Sequence, residues 1–244
     1  MDSGYYATCA GLRAQSQALE VAAHNLANIN TPGFRGEQTT FQSLLSLARP
    51  SAPSALVLAT NNYGVLEGTH LDLSEGNLAN TGNPLDVGIQ GSGFFAVQTA
   101  RGTRYTRNGS FQVSSSGELE TAAGDSVLGS AGAIRVPAGT IAIGLDGTIS
   151  VNGTVAGQIR LVDFPPGTKL ISEGGNLLMS PAATEQPAPA AVLRQGMLES
   201  SNVNAIGSVV GLMAVQRETE MLSRAMGLFD TEFNHIAASE LAKV

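Results

Sequence analysis

The chain has no tryptophan, one cysteine and little charge. Aromatic residues make up 5% and charged residues 14% of its 244 residues. The single cysteine, Cys9, excludes an internal disulfide framework and any metal site built from several cysteines. The formal net charge of −7 argues against a nucleic-acid partner, which needs a basic face, and against electrostatic attachment to a membrane.

Long apolar runs and a targeting segment are missing as well. No stretch approaches the ~18 uninterrupted apolar residues of a membrane-spanning helix, so we expect no membrane insertion. The first six residues, Met-Asp-Ser-Gly-Tyr-Tyr, contain neither a basic region nor an apolar core. We therefore expect no cleaved secretory signal peptide.

The residue patterns of enzymes and metal sites are not found either. The three histidines, His24, His70 and His235, include no pair at the spacing of metal ligands. The glycine-rich segments lack the lysine of a phosphate-binding loop, and no G-x-S-x-G nucleophile motif occurs. These observations predict a protein that is not an enzyme and binds no cofactor or metal.

The first stretch of regular sequence, residues 5–29, has the period of an amphipathic helix. Large residues recur every seven positions and small ones follow three places later, as in a coiled-coil seam. The other faces carry alanine and neutral polar residues rather than the charges of a solvated helix. The predicted seam residues are Tyr5, Leu12, Leu19, Leu26 and Ile29.

A second helix is predicted at the other end of the chain, over residues 205–241. It carries two heptad rows, and Gly207 and Gly211 form a GxxxG pattern that would permit a close helix crossing. We expect both terminal helices to be poorly ordered in the free monomer and to fold on assembly, because bare apolar seams are a liability. The predicted seam residues are Leu212, Val215, Leu222, Met226, Phe229, Phe233 and Ile236.

The sequence between the helices alternates in hydropathy and is interrupted by turn residues. Strand-like runs such as 93–97 and 158–164 lie among Gly-containing turns, including Asn108-Gly109 and Asn152-Gly153, which are strong hairpin signals. This pattern predicts an antiparallel β domain.

The predicted fold class is therefore α+β, with paired N- and C-terminal helices in a coiled-coil-like domain and a central antiparallel β-rich domain. Helices at both termini are expected to pair with each other or with copies in neighbouring subunits. The predicted divisions are an N-terminal helix at 1–34, an extended arm or linker at 35–66, the β-rich domain at 67–195 and a C-terminal helix at 196–244.

Several segments resemble the flagellar basal-body rod and hook proteins, which are axial subunits that stack into a helical tube. The resemblance follows the correct order along most of the chain. Within the family it is closest to the proximal rod type, because of the short start, the length and the Thr-Pro-Gly-Phe-Arg form. The segments that carry the resemblance are residues 25–35, 83–87, 93–95, 105–111, 198–204 and 216–220.

The resemblance implies a structural subunit that polymerises through its terminal helices and transmits motor torque across the periplasm. It implies self-association, contact with other rod proteins, and export without signal cleavage by the flagellar type III apparatus. The helices would form an inner domain and the β domain would lie outside. The turn residues of the family motif would redirect the chain from one to the other; they are Asn28, Thr31, Pro32, Gly33 and Phe34.

The second predicted helix departs from the usual family residues at two places. Gly207 and Ser208 stand where the family often has acidic residues, and Thr219 stands where an aromatic is common, so we expect a locally weakened helix.

The alternative within the class is a distal rod or hook-type protein. The alternative outside it is a β-domain adhesin with a helical oligomerisation stalk, which the helices at both ends and the missing tryptophan disfavour.

Overall fold

The computed structural model describes residues 2–42, 65–181, 184–188 and 190–241. The chain divides into two units. The helical unit comprises Met1–Leu26, Glu37–Thr69 and Asn204–Val244, and the β unit comprises Ala27–Gly36 and His70–Val203. The α+β class is confirmed, with one helix near each end of the chain and antiparallel sheets between them.

Among the residues that the structure describes, the helical unit contains two helices and one small sheet. Helix α1 spans Asp2–Ala27 and α2 spans Ala205–Leu241, which matches the range predicted for the second helix. Strand β1 (Glu37–Gln42) pairs with β2 (Val65–Leu71), although β2 ends two residues inside the β unit. Neither helix carries, among the described residues, an apolar stretch of the length that a bilayer-spanning segment requires.

The ends of the helices follow from local chemistry. Pro32 disfavours the helical conformation of Thr31, and α1 has already ended four residues before that position. At the start of α2, the Asn204 side-chain oxygen accepts a hydrogen bond from the Gly207 amide at 2.9 Å. This is an N-cap, which satisfies an amide that the helix itself leaves without a partner.

The β unit is built from short strands joined by tight turns. In chain order they are β3 (Leu78–Asn80), β4 (Val87–Gln90), β5 (Phe94–Thr99), β6 (Gly102–Thr106), β7 (Phe111–Val113), β8 (Leu119–Thr121), β9 (Ser126–Gly129), β10 (Gly132–Ala133), β11 (Ile141–Ile143), β12 (Thr148–Val151), β13 (Thr154–Gln158), β14 (Leu161–Asp163), β15 (Ile171–Ser172), β16 (Leu178–Met179), β17 (Gln186–Pro187), β18 (Val192–Gln195) and β19 (Met197–Glu199).

The largest sheet is organised around β5. This strand pairs with β6 along one edge, and with β9 and β14 along the other. Separate smaller sheets are formed by β11–β12–β13, by β4 with β18 and by β3 with β19. The last two pairings join the beginning of the β unit to its end, so its two extremities are held side by side.

The core of the β unit lies on both faces of β5. Phe95 and Val97 belong to the larger buried cluster, whereas Phe94 and Ala96 belong to a second cluster with Tyr105. Successive side chains of a strand point to opposite faces, so burial of four consecutive residues means that β5 is covered on both sides. An edge-to-face contact between Phe95 and Phe111, with ring centroids 5.0 Å apart, lies within the larger cluster.

The two Asn-Gly dipeptides adopt different structures. Asn152 and Gly153, with φ of 50° and 82°, form the predicted hairpin between β12 and β13. The prediction was wrong at Asn108-Gly109, because β6 pairs with β5 and β16 whereas β7 pairs with β8. A Cβ on Gly109 would lie 1.8 Å from the Val87 carbonyl oxygen, so this glycine permits a close passage of two backbones.

The boundaries of the units differ from the predicted divisions at both ends of the β unit. Residues 27–36 and 196–203 belong to the β unit. The predicted divisions had placed 27–34 and 196–203 in the two helical segments. The second of these segments contains β19, whose pairing with β3 attaches it to the sheets. Most of the predicted arm, residues 43–64, lies outside the described residues.

Candidate assembly surfaces

The turn that follows α1 is closed by its own polar groups. The Thr31 amide donates to the Asn28 carbonyl at 3.1 Å, and the Phe34 amide donates to the Thr31 carbonyl at 3.3 Å. The Thr31 hydroxyl lies 3.2 Å from the Asn28 side-chain oxygen. These hydrogen bonds lie entirely within residues 28–34, so they shape the predicted turn motif without help from the rest of the β unit.

Gly33 is the point at which this turn meets the β unit most closely. Its φ is +69°, and a Cβ there would lie 2.4 Å from backbone atoms of both Arg107 and Asn108. Its amide donates to the Glu199 carbonyl at 2.7 Å. Only glycine adopts this conformation at little cost and also leaves room for the neighbouring backbone.

A buried ion cluster, here called the Glu199 hub, lies beside the turn and consists of Arg35, Arg107 and Glu199. Glu199 Oε1 accepts from Arg35 Nη2 at 2.6 Å, and Oε2 accepts from Arg107 Nη1 at 3.1 Å. The Gly76 amide donates to Oε1 at 2.8 Å. Because all three charged side chains are only 1–2% exposed, these contacts are screened little by solvent or salt.

One carboxylate therefore serves two guanidinium groups. Burial lowers the pKa of Arg107, an effect that Glu199 opposes and Arg35 reinforces. Arg107 also donates to the carbonyls of Ile89 and Gly91, and its guanidinium lies 5.3 Å from the centre of the Phe94 ring. These neutral acceptors and the ring stabilise the second positive charge, which Glu199 alone does not neutralise.

Asn202 holds the same turn from the other side. Its side-chain oxygen accepts from the Gly36 amide at 2.8 Å, and its side-chain nitrogen donates to the Asp72 carbonyl at 2.8 Å. The Asp72 amide in turn donates to the Gly36 carbonyl at 2.8 Å. The hub and Asn202 together fix the backbone from Gly33 to Gly36 on the β unit.

The predicted seam of α1 is half-buried rather than buried. Leu12, Leu19 and Leu26 are half-buried, as is Ile29 in the turn beyond the helix. Among the described side chains of α1, the deepest burial instead falls on small residues, namely Thr8, Ala14 and Ala18. The side chain of Tyr5 lies outside the described residues.

Helix α2 has apolar side chains on two opposite faces. The predicted seam residues Leu212, Val215, Leu222 and Met226 are half-buried, and Thr219 continues their row. The opposite face exposes large apolar side chains, those of Ile206, Val210, Met213 and Leu228. The side chains of Phe229, Phe233 and Ile236 lie outside the described residues.

Contacts between described residues join α1 to α2 at two places. The Gln15 side-chain amide donates to the Glu218 carboxylate. A Cβ on Gly11 would lie 3.5 Å from a Leu222 methyl group, so the missing side chain of this glycine leaves space that Leu222 fills. Residues 11 and 15 thus meet residues 222 and 218, and the two helices run antiparallel.

Three family models match the chain in order. The flagella basal body rod protein model matches residues 8–35, the flagellar hook protein FlgE/F/G D1 domain matches 88–155, and the flagellar basal body rod FlgEFG protein C-terminal model matches 194–231. The chain is 32% identical over 232 residues to the flagellar basal-body rod protein FlgF of Mesorhizobium japonicum, covering 93% of this chain and 92% of that protein. The chain belongs to the flagellar basal-body rod protein family.

Other rod proteins match over similar lengths. Identity to FlgF of Caulobacter vibrioides is 32%, with complete coverage of both chains. Identity to FlgG of Buchnera aphidicola (from Acyrthosiphon pisum) is 33%, with 90% of this chain and 93% of that protein covered. The chain is thus a structural subunit of the flagellar basal-body rod and resembles FlgF.

Membership of the rod protein family tests the predictions about the kind of function that the chain has. The prediction that the chain is not an enzyme is confirmed, because rod proteins are structural. The adhesin alternative is not supported by these relatives. Within the described ranges, histidine, cysteine and acidic side chains form no group that could hold a metal ion.

The hub joins three of the six segments that carried the family resemblance. Arg35 belongs to the N-terminal segment of this rod protein, Arg107 to the central segment and Glu199 to the C-terminal one. The resemblance identified each segment separately, but it did not predict that they meet. The signal in the sequence that could have predicted this ion cluster was a charged residue within each of three apolar or turn-rich segments.

Proposed function

We propose that this rod subunit polymerises through its terminal helices to form the proximal rod, which transmits motor torque across the periplasm. The observation that carries the proposal is the pair of opposite apolar faces on α2. One face is half-buried within the chain, whereas Ile206, Val210 and Met213 on the other are exposed. Burying each such side chain would contribute about 1.5–3 kcal/mol, so neighbouring subunits gain by covering this face.

The proposal includes coiled-coil-like pairing of α1 with α2. The antiparallel contacts of Gly11 with Leu222 and of Gln15 with Glu218 support it, as does the heptad row from Leu212 to Met226. Close packing of paired helices gives the low compressibility that torque transmission requires. Ordering of these helices on assembly, rather than in the free monomer, belongs to the same proposal.

The proximal rod is preferred to the distal rod or a hook-type position. The end-to-end match to a FlgF protein supports this choice, whereas the match to the FlgG protein described above covers 90% of the chain. The proposal also comprises export by the flagellar type III apparatus without signal cleavage, a periplasmic position, self-association and contact with other rod proteins. Family membership supports these elements.

The helix proposal is tested by substituting one predicted seam residue and one exposed residue of the same helix. Leu19→Asp places a charge in the half-buried seam of α1, whereas Ala23→Asp places the same charge on its exposed face one turn later. We expect Leu19→Asp to abolish swimming and to remove the subunit from purified basal bodies. Ala23→Asp should swim normally.

The β unit serves as the internal control for folding. Among the described residues, its two buried clusters include none from α1, so hydrogen exchange of the β5 and β9 amides should be unchanged in both variants. Normal swimming of the Leu19→Asp strain, with that variant present in its basal bodies, would contradict assembly through the terminal helices.

A further inference from the structure

A groove in the helical unit has the features of a docking site. It lies between α1, α2 and β1 and has a volume of about 410 Å³, within the range of roughly 300–1,000 Å³ that binding clefts have. Small or aliphatic residues line it, namely Ala18, Val21, Ala22, Gly211 and Val215.

Polar groups surround this apolar lining. Gln15 and Glu218 join α1 to α2 by a hydrogen bond, while Asn25 joins α1 to β1. The Asn25 amide nitrogen donates to the Glu37 carbonyl at 2.7 Å, and its oxygen accepts from the Glu37 amide at 2.9 Å. An apolar centre with a polar rim is the usual composition of a protein interface.

Gly211 is the point at which the groove remains open. No atom of the described residues lies within 4 Å of the position that a Cβ on this helical glycine would occupy. The described part of the chain therefore does not use Gly211 for the close helix crossing that the GxxxG pattern predicted. A glycine in the middle of a helix costs about 1 kcal/mol relative to alanine, so its presence here keeps space free at a cost in stability.

The same chain displays a surface that complements the groove. Ile206, Val210 and Met213 form an apolar ridge along α2, with exposed fractions of 79%, 61% and 52%. Arg217 continues the ridge one turn further on and is exposed. The groove rim carries two carboxylates, Glu37 and Glu218, so the ridge and the groove are both apolar at their centres and opposite in charge at their edges.

We infer that the ridge of one copy of this chain seats in the groove of the next copy. This inference rests on the proposed function and names the site and the partner for it. Gly211 and Val215 face the groove, whereas the ridge lies on the opposite face of α2, so one molecule presents both halves of the contact on different sides. Such a head-to-tail contact generates an open helical assembly wherever the rotation between successive copies does not close a ring.

Filling the groove at Gly211 tests this contact. Gly211→Leu adds a side chain where the described part of the chain leaves open space, and Gly227→Leu is its matched control, because a Cβ on that α2 glycine also meets no described atom within 4 Å. Both variants should keep or raise the helical content of the purified chain. We expect Gly211→Leu to be lost from basal bodies by at least tenfold and Gly227→Leu to be incorporated normally.

Either of two results would overturn the groove contact. One is normal incorporation of Gly211→Leu, and the other is equal loss of both variants. Normal incorporation of Gly211→Leu while Leu19→Asp fails would remove the groove contact and leave assembly through the terminal helices intact.

Disulfide trapping identifies the occupant. In a Cys9→Ser background, cysteines at Gly211 and Met213 cannot join within one helix, because residues two apart do not face each other. Oxidation of basal bodies with copper phenanthroline should therefore link copies of the chain into dimers and larger multiples, whereas the pair Gly227→Cys with Met213→Cys should not. Absence of links in incorporated protein, or links to a different rod protein only, would overturn the choice of a second copy.

Discussion

At the scale of single residues, the Glu199 hub is the feature with the largest energetic consequence. A buried ion pair is not in itself strongly stabilising, because desolvation of the charges offsets their attraction. Removing one partner is different, since it leaves the other charge buried without compensation. Glu199 faces two arginines, so its loss would leave two such charges.

Glu199→Gln should accordingly lower the free energy of unfolding of the β unit by about 3–5 kcal/mol, which is a large part of the total stability of an ordinary domain. Urea denaturation followed by hydrogen exchange of the β3 and β19 amides measures this change. The control is Glu220→Gln, which removes an exposed partner of Arg224 on α2 and should change stability by less than about 0.5 kcal/mol. A loss below about 1 kcal/mol in Glu199→Gln would show that the hub does not stabilise the β unit.

The hub also shows where residue-level prediction ends. Arg35 and Glu199 are 164 positions apart, and Arg107 and Glu199 are 92 apart. Periodicity and turn chemistry depend on residues that are close together in the sequence. They therefore cannot predict contacts between residues that are this far apart. The turn motif at Thr31–Gly33 was predictable because proline and glycine act locally, but its attachment to Glu199 was not.

At the scale of elements, helices were predicted more accurately than strand pairing. The heptad pattern located α2 at its observed bounds because the pattern extends over many turns. The dipeptide Asn-Gly, by contrast, formed a hairpin at Asn152, whereas at Asn108 it lies between β6 and β7, two strands of one sheet that do not pair with each other. What separates the two cases is the backbone of Val87 beside Gly109, which is a tertiary contact.

Burial along α1 also departs from what large residues suggested. The leucines of the predicted seam are half-buried, while Ala14 and Ala18 are buried. Small side chains let a neighbouring helix approach closely, and sequence patterns weighted by hydrophobic size underestimate them.

The start of α2 depends on one cap. Asn204→Ala removes the oxygen that accepts the Gly207 amide, and it should cost about 1 kcal/mol of local helix stability. Hydrogen exchange of the Gly207 and Ser208 amides should then accelerate roughly fivefold. Asn204→Asp keeps an acceptor at the positive end of the helix dipole and should retain the protection. Equal exchange in Asn204→Ala and the unchanged chain would mean that the cap does not stabilise α2.

At the scale of the whole molecule, the two units differ in how their apolar residues are used. The β unit encloses two buried clusters, in the larger of which Phe95, Val97 and Val127 are fully buried. In the helical unit, the described part of α2 leaves Ile206, Val210 and Met213 on the surface. A rod subunit needs both properties, because it must keep its own shape and also offer surfaces that only assembly covers.

The central claim is that neighbouring subunits cover the exposed face of α2, and thiol labelling of Met213→Cys in a Cys9→Ser background tests it most directly. The Met213 side chain is 52% exposed in the single chain, so a maleimide should modify this cysteine rapidly in the purified subunit. In intact basal bodies the same cysteine should resist the reagent until the rod is dissociated with denaturant. Equal labelling rates in the purified subunit and the intact basal body would contradict the account.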